Sequence, residues 1–305
     1  MGVHSDAAAG TVNGCHRIDL KEPTARRATH ADVPVARLFG VTAAADPDGR
    51  TVELVVPPTA RDGDGALPTG ALAVLADHAL GRRLSEVLEP DERMVTSHMH
   101  LEIMRPPQPG VDRYVGEAQE VHRVPGSGFS RGSIRDANGA LVALISARFA
   151  LIPAGDMQGG AVLDQRAASI DPSEATPPTQ PWSGVPVHQL LGTRMRRESE
   201  GQVEVDFLAA PELANERSGL HGGVGALMGE RAAALALQGR AAFRPVELRI
   251  VFLRPVPAVG QRVRADAEII FLGRTTATTS ARLYRADSKV AVQVDAVHAV
   301  PPANR

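Results

Sequence analysis

An internal repeat constrains the fold of this chain more than any other feature of its sequence. Three landmarks of the first half return in the second half, each about 150 residues later. The paired segments are Leu38–Gly40 with Leu190–Gly192, Leu67–Gly70 with Leu220–Gly223, and Met104–Pro106 with Leu253–Pro255. An offset that stays this steady across three landmarks predicts two copies of one structural unit.

The composition of the flanking segments predicts where each copy begins and ends. Residues 1–30 are small, polar and interrupted by proline, which predicts a disordered arm. Residues 153–184 have the same character, rich in Pro, Gly, Asp, Ser and Thr, and predict a linker. We therefore predict an N-terminal domain at 31–152 and a C-terminal domain at 185–305.

Each copy has the same predicted order of elements. A short strand pair comes first, with strands at Thr51–Val56 and Val203–Leu208. A helix follows, and in the first copy apolar residues recur at three- and four-residue steps from Leu72 to Leu88. Three or four strands complete the unit, with a hairpin-turn signal at Asp136–Gly139. One helix against an antiparallel sheet makes the predicted fold class α+β.

Composition also excludes several classes of protein and site. A formal charge of −2, a pI near 6.6 and an aromatic content of 3% argue against a nucleic-acid partner. Cys15 is the single cysteine, so an intrachain disulfide and a cysteine metal cluster are ruled out. His98, His100 and His122 are spaced singly without acidic partners, which favours structural roles over metal binding. The chain lacks a long apolar run and an apolar signal core, so we expect a cytoplasmic protein with no membrane partner.

The stretch Asn215–Leu237 carries the candidate site. It begins as a polar, glycine-broken loop and becomes a run rich in Ala and Leu, which predicts a loop leading into a helix. Gly222 and Gly223 leave the first helical amides uncovered, so a small oxygen-bearing group could approach the backbone there. Glu230 follows on the same helix. On spacing alone, the same residues also fit an ordinary helix start with a surface acid.

These residues resemble the hotdog-fold acyl-CoA thioesterases, and in particular the PaaI-like branch. The resemblance rests on Asn215, on His-Gly-Gly at 221–223 and on the acid Glu230, inside a duplicated unit, and it covers both copies. It implies two tandem hotdog domains, each a long central helix wrapped by an antiparallel β-sheet. In that family the sheets lie side by side and the helices are antiparallel. Each site takes its Asn and His-Gly from one unit, and its carboxylate and a hydroxyl residue from the other.

The two copies share these motif residues unequally. The second copy keeps the loop side of the motif as Asn215, His221 and Gly222. The first copy has Asp77 at the acid position, and Thr96 where the family carries Ser or Thr before the next strand. The resemblance therefore implies one complete catalytic site, assembled from both copies.

The opposite combination lacks most of the motif. In the first copy Pro68 stands at the His position, Thr69 at the first Gly position and Asp62 at the Asn position. The second copy retains the acid as Glu230 but has Pro245 in place of the hydroxyl residue. We therefore predict a vestigial second site that includes Glu230 and Thr69.

The resemblance also implies a role for each residue of the complete site. The Gly222 amide would stabilise the negative oxygen of the thioester in the transition state. Asp77 would act as general base for water or as the nucleophile, and the sequence leaves both open. Thr96 would hold the water or the carboxylate, Asn215 would orient the water or the loop, and His221 would support the helix start. Coenzyme A leaves as a thiolate and is part of the substrate, so no metal or other cofactor is expected.

Further residues are candidates for binding the substrate. Gly223 lies beside the expected oxyanion position, and Arg105, Arg254 and Arg274 stand at strand ends where they could meet coenzyme A phosphates. Solvated strand-end charges are an equally good interpretation of the three arginines. Likewise, Asp77 could be a solvated helix acid.

Three functional hypotheses follow. The first is an acyl-CoA thioesterase with one composite site, and the alternative is a non-catalytic double hotdog protein that holds an acyl-CoA or acyl-carrier ligand. A hotdog hydratase is disfavoured, because neither copy carries the Asp and His pair expected of that branch. The expected partner is an acyl-CoA substrate, and the outer faces of the fused pair could also form a homodimer.

Overall fold

The computed structural model describes residues 33–44, 50–153, 187–240 and 242–301. The predicted arm lies outside the described residues, and so does the predicted linker apart from Pro153. Pro153 is the last residue of a strand.

The two copies contain the same elements in the same order. The first copy comprises α1 (Pro34–Phe39), β1 (Val41–Ala43), β2 (Thr51–Val55), α2 (Leu72–Ser85), β3 (Glu92–Ile103), β4 (Arg113–Val124), β5 (Ser127–Asp136) and β6 (Leu141–Pro153). The second comprises α3 (Val187–Leu190), β7 (Arg194–Ser199), β8 (Gln202–Ala209), α4 (Gly222–Ala236), β9 (Arg244–Phe252), β10 (Gln261–Leu272), β11 (Thr276–Tyr284) and β12 (Val290–Ala299). Short 3-10 turns lie at Pro58–Ala60, Thr69–Ala71 and Pro211–Leu213.

The twelve strands of the described residues form one antiparallel sheet, in the order β1-β2-β4-β5-β6-β3-β9-β12-β11-β10-β8-β7. Each copy contributes six adjacent strands, and the halves join where β3 pairs with β9, with His100 opposite Arg249. The long helix of each copy packs on its own half of the sheet. The fold is therefore α+β with two tandem hotdog units, as the sequence predicted.

Matching backbone details confirm the duplication. The Asp62 N–H donates to the carbonyl of Ala66 at 2.8 Å, and the Asn215 N–H donates to the carbonyl of Gly219 at 2.7 Å. The two strands that join the copies carry matching bulges. In β3 the residue after Thr96 has no pairing partner in β6, and in β9 the residue after Pro245 has none in β12. The alignment of Thr96 with Pro245 is therefore structural as well as sequential.

The N-terminal parts of α2 and α4 cross in antiparallel directions at very short range. A Cβ atom built on Gly223 would lie 2.4 Å from the Val74 Cα, and one built on Gly70 would lie 2.9 Å from the Leu227 Cα. Val74 and Leu227 are buried in this crossing.

The apolar stripe of the first helix extends further in sequence than the helix itself. Leu72, Leu75 and Leu84 are buried on α2 as predicted, but the helix ends at Ser85. Val87 and Leu88 follow it and pack against the core as partly buried residues. Every helix in the described part of the chain is too short or too polar to span a lipid bilayer.

Candidate functional site

The carboxyl group of Asp77 lies at the start of the opposite copy's helix. Asp77 belongs to α2, and its Oδ2 is 2.9 Å from the point that a Cβ on Gly222 would occupy. The same oxygen is 3.6 Å from the Nε2 of His221. The structure thus brings together an acid from the first copy and the His-Gly-Gly segment from the second, where α4 begins.

His221 caps α4 through its ring. Its Nδ1 accepts a hydrogen bond from the Gly223 N–H at 3.1 Å, so Nδ1 carries no proton and the proton of a neutral ring lies on Nε2. This N–H is on the nitrogen that faces Asp77. The Gly222 N–H is the first amide of α4, so it has no acceptor within its own helix. It remains a fixed donor at the positive end of the helix dipole.

Thr96 holds the carboxyl of Asp77 from the other side. Its hydroxyl donates to Asp77 Oδ1 at 2.9 Å, and a hydrogen bond to an ionised carboxylate contributes about 1.5–3 kcal/mol. We expected Thr96 before the strand, but it is the fifth residue of β3, beside the bulge. The bulge explains the difference, because an extra residue re-aims a strand side chain without ending the strand.

Burial raises the pKa of the Asp77 carboxyl above its ordinary value of 3.8. His78, the Thr96 hydroxyl and the Gly223 amide oppose this effect by favouring the ionised form, whereas Glu216 adds to it. The side chain of Asp77 is only 12% exposed. A poorly solvated carboxylate with a raised pKa is a stronger base and nucleophile than one in water.

Asn215 contacts the loop rather than the carboxyl. Its Oδ1 accepts hydrogen bonds from the backbone amides of Arg217 at 2.9 Å and Gly219 at 3.1 Å. These bonds hold the turn that leads into His221, where Ser218 has a positive φ of 60°. Of the two roles that the sequence left open for Asn215, the contacts favour orienting the loop.

Two residues that the sequence did not indicate lie in the site. The ring of His78, next to Asp77, stacks on His221. The ring of Phe252, at the end of β9, lies 3.3 Å from the point that a Cβ on Gly222 would occupy. Phe252 is partly buried, and no sequence signal placed it beside the helix start of its own copy.

The three candidate arginines do not share one location. Arg254 follows β9 at the Thr96 end of the sheet, where its side chain donates to the carbonyl of Val290 at 2.6 Å. Arg105 follows β3 at the opposite end, about 30 Å along the strand from Thr96 at 3.3 Å per residue. Arg274 lies at the same end of the sheet as Arg105. It comes just before β11, whose first residue pairs with the last residue of β12. Of the three arginines, only Arg254 therefore lies at the same end of the sheet as Thr96.

At a second crossing, Glu230 of α4 meets Gly70 just before α2. This second crossing has an acid but a different environment. The Oε2 of Glu230 is 3.2 Å from the point that a Cβ on Gly70 would occupy, which parallels Asp77 and the start of α4. No side chain caps the start of this helix, where Pro68 occupies the cap position and Thr69 begins a 3-10 turn. Pro245 offers no hydroxyl. The second crossing therefore retains a carboxyl and little else of the motif.

Burial raises the pKa of Glu230 to about 7, with a further increase from Asp62. Arg231 and Arg244 oppose the shift. The residue is only 8% exposed, so solvent does little to relieve the cost of its charge. At neutral pH Glu230 is therefore divided between the acid and the carboxylate.

This shift predicts a pH-dependent stability. The folded pKa of Glu230 lies above its ordinary value of 4.5. Its contribution to the free energy of unfolding is therefore complete below pH 4.5 and is lost as the pH rises through about 7. The loss corresponds to about 3 kcal/mol at 1.36 kcal/mol per pKa unit. Glu230→Gln should remove most of this dependence, measured as the difference in urea unfolding free energy between pH 4.5 and pH 8. Glu102→Gln, which removes an exposed carboxyl, should keep the wild-type difference. If both variants showed the same difference in unfolding free energy between the two pH values, Glu230 would not be the source of the pH dependence.

Comparison with known proteins agrees with this architecture. Residues 219–292 match the family model described as Thioesterase superfamily. The matched segment includes His221, Gly222 and Glu230, so this similarity falls on the second copy. Among curated proteins, no significant match was found.

Several solved structures share the fold along nearly their whole length. The tesB protein of Mycobacterium avium subspecies paratuberculosis superposes with a TM-score of 0.62 at 12% identity, covering 88% of this chain and 98% of that one. A hotdog-fold protein of unknown function from Alicyclobacillus acidocaldarius gives 0.60 at 12% identity, covering 91% and 100%. An acyl-CoA thioesterase II, TesB2, from Mycobacterium marinum gives 0.55 at 12% identity, covering 88% and 99%. At these identities the similarity concerns the fold, and it extends over both copies.

Proposed function

We propose that this chain hydrolyses an acyl-CoA thioester to a free acid and coenzyme A, at one composite site between its two hotdog halves. The observation that carries the proposal is the position of Asp77. Its carboxyl, from the first copy, lies at the start of α4 from the second, with Oδ2 2.9 Å from the Cβ point on Gly222. The thioesterase-superfamily match of residues 219–292 supports the same chemistry.

The reaction requires a nucleophile and a place for negative charge. In the proposed mechanism the thioester carbonyl oxygen points at the Gly222 amide, whose N–H donates to the oxyanion as it forms. Asp77 either takes a proton from the attacking water or attacks the carbonyl carbon itself. In both cases the carbon–sulfur bond breaks and coenzyme A leaves as a thiolate. If Asp77 attacks, water then cleaves the mixed anhydride and regenerates the carboxylate.

The remaining residues of the site position these two groups. The Thr96 hydroxyl orients the carboxyl through Oδ1, which leaves Oδ2 directed at the start of α4. His221 fixes the helix start by accepting from the Gly223 N–H, and it does not need to change its protonation state. Arg254 lies at this end of the sheet, where its charge could meet a phosphate of coenzyme A.

A free-thiol assay with a panel of straight-chain, branched and aryl acyl-CoAs tests the proposal. We expect turnover of at least one member of the panel at neutral pH, and a matched oxygen ester should react far more slowly because its alkoxide is a poorer leaving group. The proposal is overturned if no member of the panel releases thiol.

The alternative is a protein that binds an acyl-CoA or acyl-carrier ligand without cleaving it. The loss of the capping His and the hydroxyl residue at the second crossing is the observation that favours it. Equilibrium binding of the same panel, measured by calorimetry, separates the two functions. Tight binding without thiol release would establish the alternative.

A further inference from the structure

Two histidine rings, one from each copy, stack beside the proposed site. The centroids of His78 and His221 lie 4.6 Å apart, and the ring planes differ by 15°. This is the spacing of a stacked aromatic pair. His78 is 4% exposed and His221 is 7% exposed, so the pair forms part of the junction between the copies.

The two rings have opposite tautomers. His78 Nδ1 lies 2.8 Å from the carbonyl oxygen of Val74, and a carbonyl only accepts, so this nitrogen carries the proton. His221 Nδ1 accepts from the Gly223 N–H, so its proton is on Nε2. The Val74 hydrogen bond ties His78 to its own helix. His78 therefore offers a fixed surface against which the ring of His221 rests.

We propose that His78 is a positioning residue for the thioesterase reaction, acting through the ring of His221. The stack holds that ring in the one plane in which Nδ1 caps Gly223 and Nε2–H faces Asp77. It thereby sets the separation between the carboxyl and the amide end of α4. This inference rests on the proposed function for its kinetic consequence, although the orientation of His221 can be measured without it.

The second crossing has no such pair. At the position that corresponds to His78, α4 carries Arg231, and Pro68 stands at the position of His221. Arg231 is exposed, whereas His78 is buried. The histidine stack therefore occurs at the crossing that has Asp77 and Thr96, and not at the one that lacks the motif.

Two substitutions separate the ring from its hydrogen bond. His78→Phe keeps a flat ring and loses the donor to Val74, and His78→Leu loses both. We expect the Leu variant to lower kcat about tenfold with little change in KM, since misplaced catalytic groups slow the reaction more than they weaken binding. The Phe variant should lose less kcat than the Leu variant, because it keeps the ring that stacks on His221. Arg231→Leu is the matched control on the other helix and should leave kcat unchanged.

Equal losses of kcat in the Phe and Leu variants would overturn the proposal, because the hydrogen bond and not the stack would then matter. No loss in either variant would also overturn it. If the Leu variant does not fold, as judged by circular dichroism, His78→Asn replaces it, because asparagine lacks a ring but is smaller and polar.

A nuclear magnetic resonance measurement tests the same inference without turnover. In protein labelled with ¹⁵N-histidine, the His221 Nδ1 resonance should be that of an unprotonated nitrogen in wild type and in His78→Phe. In His78→Leu it should move toward the average of the two tautomers, with His221→Asn providing the assignment. A His221 signal that is the same in all three proteins would contradict the inference even if the chain is an active thioesterase. If no thioester is cleaved but the signal changes as expected, only the proposed function fails.

Discussion

Replacing Asp77 with asparagine should lower the rate of thiol release about a thousandfold or more. Asparagine has nearly the same shape and can still accept from the Thr96 hydroxyl, but it is neither a base nor a nucleophile. The effect is therefore on chemistry rather than on packing, and kcat should fall while the affinity for acyl-CoA is largely kept. Steady-state thiol release and calorimetric binding of the same acyl-CoA measure the two quantities.

The same substitution should stabilise the fold at neutral pH. The pKa of Asp77 is raised by burial, so the folded chain binds its proton more tightly than the unfolded chain does. The stability that this contributes is complete below the ordinary pKa of 3.8 and is lost as the pH rises through the folded pKa. Asparagine carries no charge and avoids that loss, so its unfolding midpoint at pH 7 should exceed that of the wild type. A gain in stability with a loss of activity is typical of a strained functional group.

Glu230→Gln is the matched control, because Glu230 occupies the equivalent position of the other helix. It should also stabilise the fold at pH 8, yet it should largely keep the wild-type kcat, since its crossing lacks the histidine cap and the hydroxyl residue. Equal losses of activity in the two variants would contradict a single working site. An active Asp77→Asn variant would show that the carboxyl is not the reacting group.

The sequence predicted those features that depend on repetition and local pattern. The offset between the copies aligned Leu67–Gly70 with Leu220–Gly223, and both segments lead into the helices that cross. The Asp136–Gly139 signal predicted the turn between β5 and β6, where Gly139 has a φ of 79°. The pairing of Asp77 with the opposite helix start came from the family resemblance, since no local pattern fixes how two copies dock.

Features that depend on register and on side-chain direction could not be obtained from the sequence. The bulge in β3 aims Thr96 at Asp77, but nothing in the sequence around it marks an extra residue. Arg105 and Arg254 occupy equivalent positions in the repeat, and the antiparallel pairing of β3 with β9 necessarily sends them to opposite ends of the sheet. The stack of His78 on His221 joins residues far apart in the chain, so it emerges only once the helices cross.

Replacing Gly223 with alanine should destabilise the fold severely. A methyl group there would lie 2.4 Å from both the Cα and the N of Val74, and 2.6 Å from the carbonyl carbon of Ala73. These are backbone atoms of the facing helix, so no side chain can rotate away and the helices must separate. Overpacking a core costs about 1–3 kcal/mol where side chains can adjust, and we expect about 3 kcal/mol or more here. Urea unfolding measured by circular dichroism gives the change in the free energy of unfolding.

Gly225 on the same helix is the matched control. Its added methyl would lie 3.2 Å from a methyl group of Val292, which is a side chain that can shift, and alanine favours a helix over glycine by about 1 kcal/mol. Gly225→Ala should therefore change the free energy of unfolding by no more than about 1 kcal/mol. If Gly223→Ala were as stable as Gly225→Ala, α2 and α4 could not cross as closely as they do here. The composite site would then lose its basis, because the same close crossing places the Asp77 carboxyl beside Gly222.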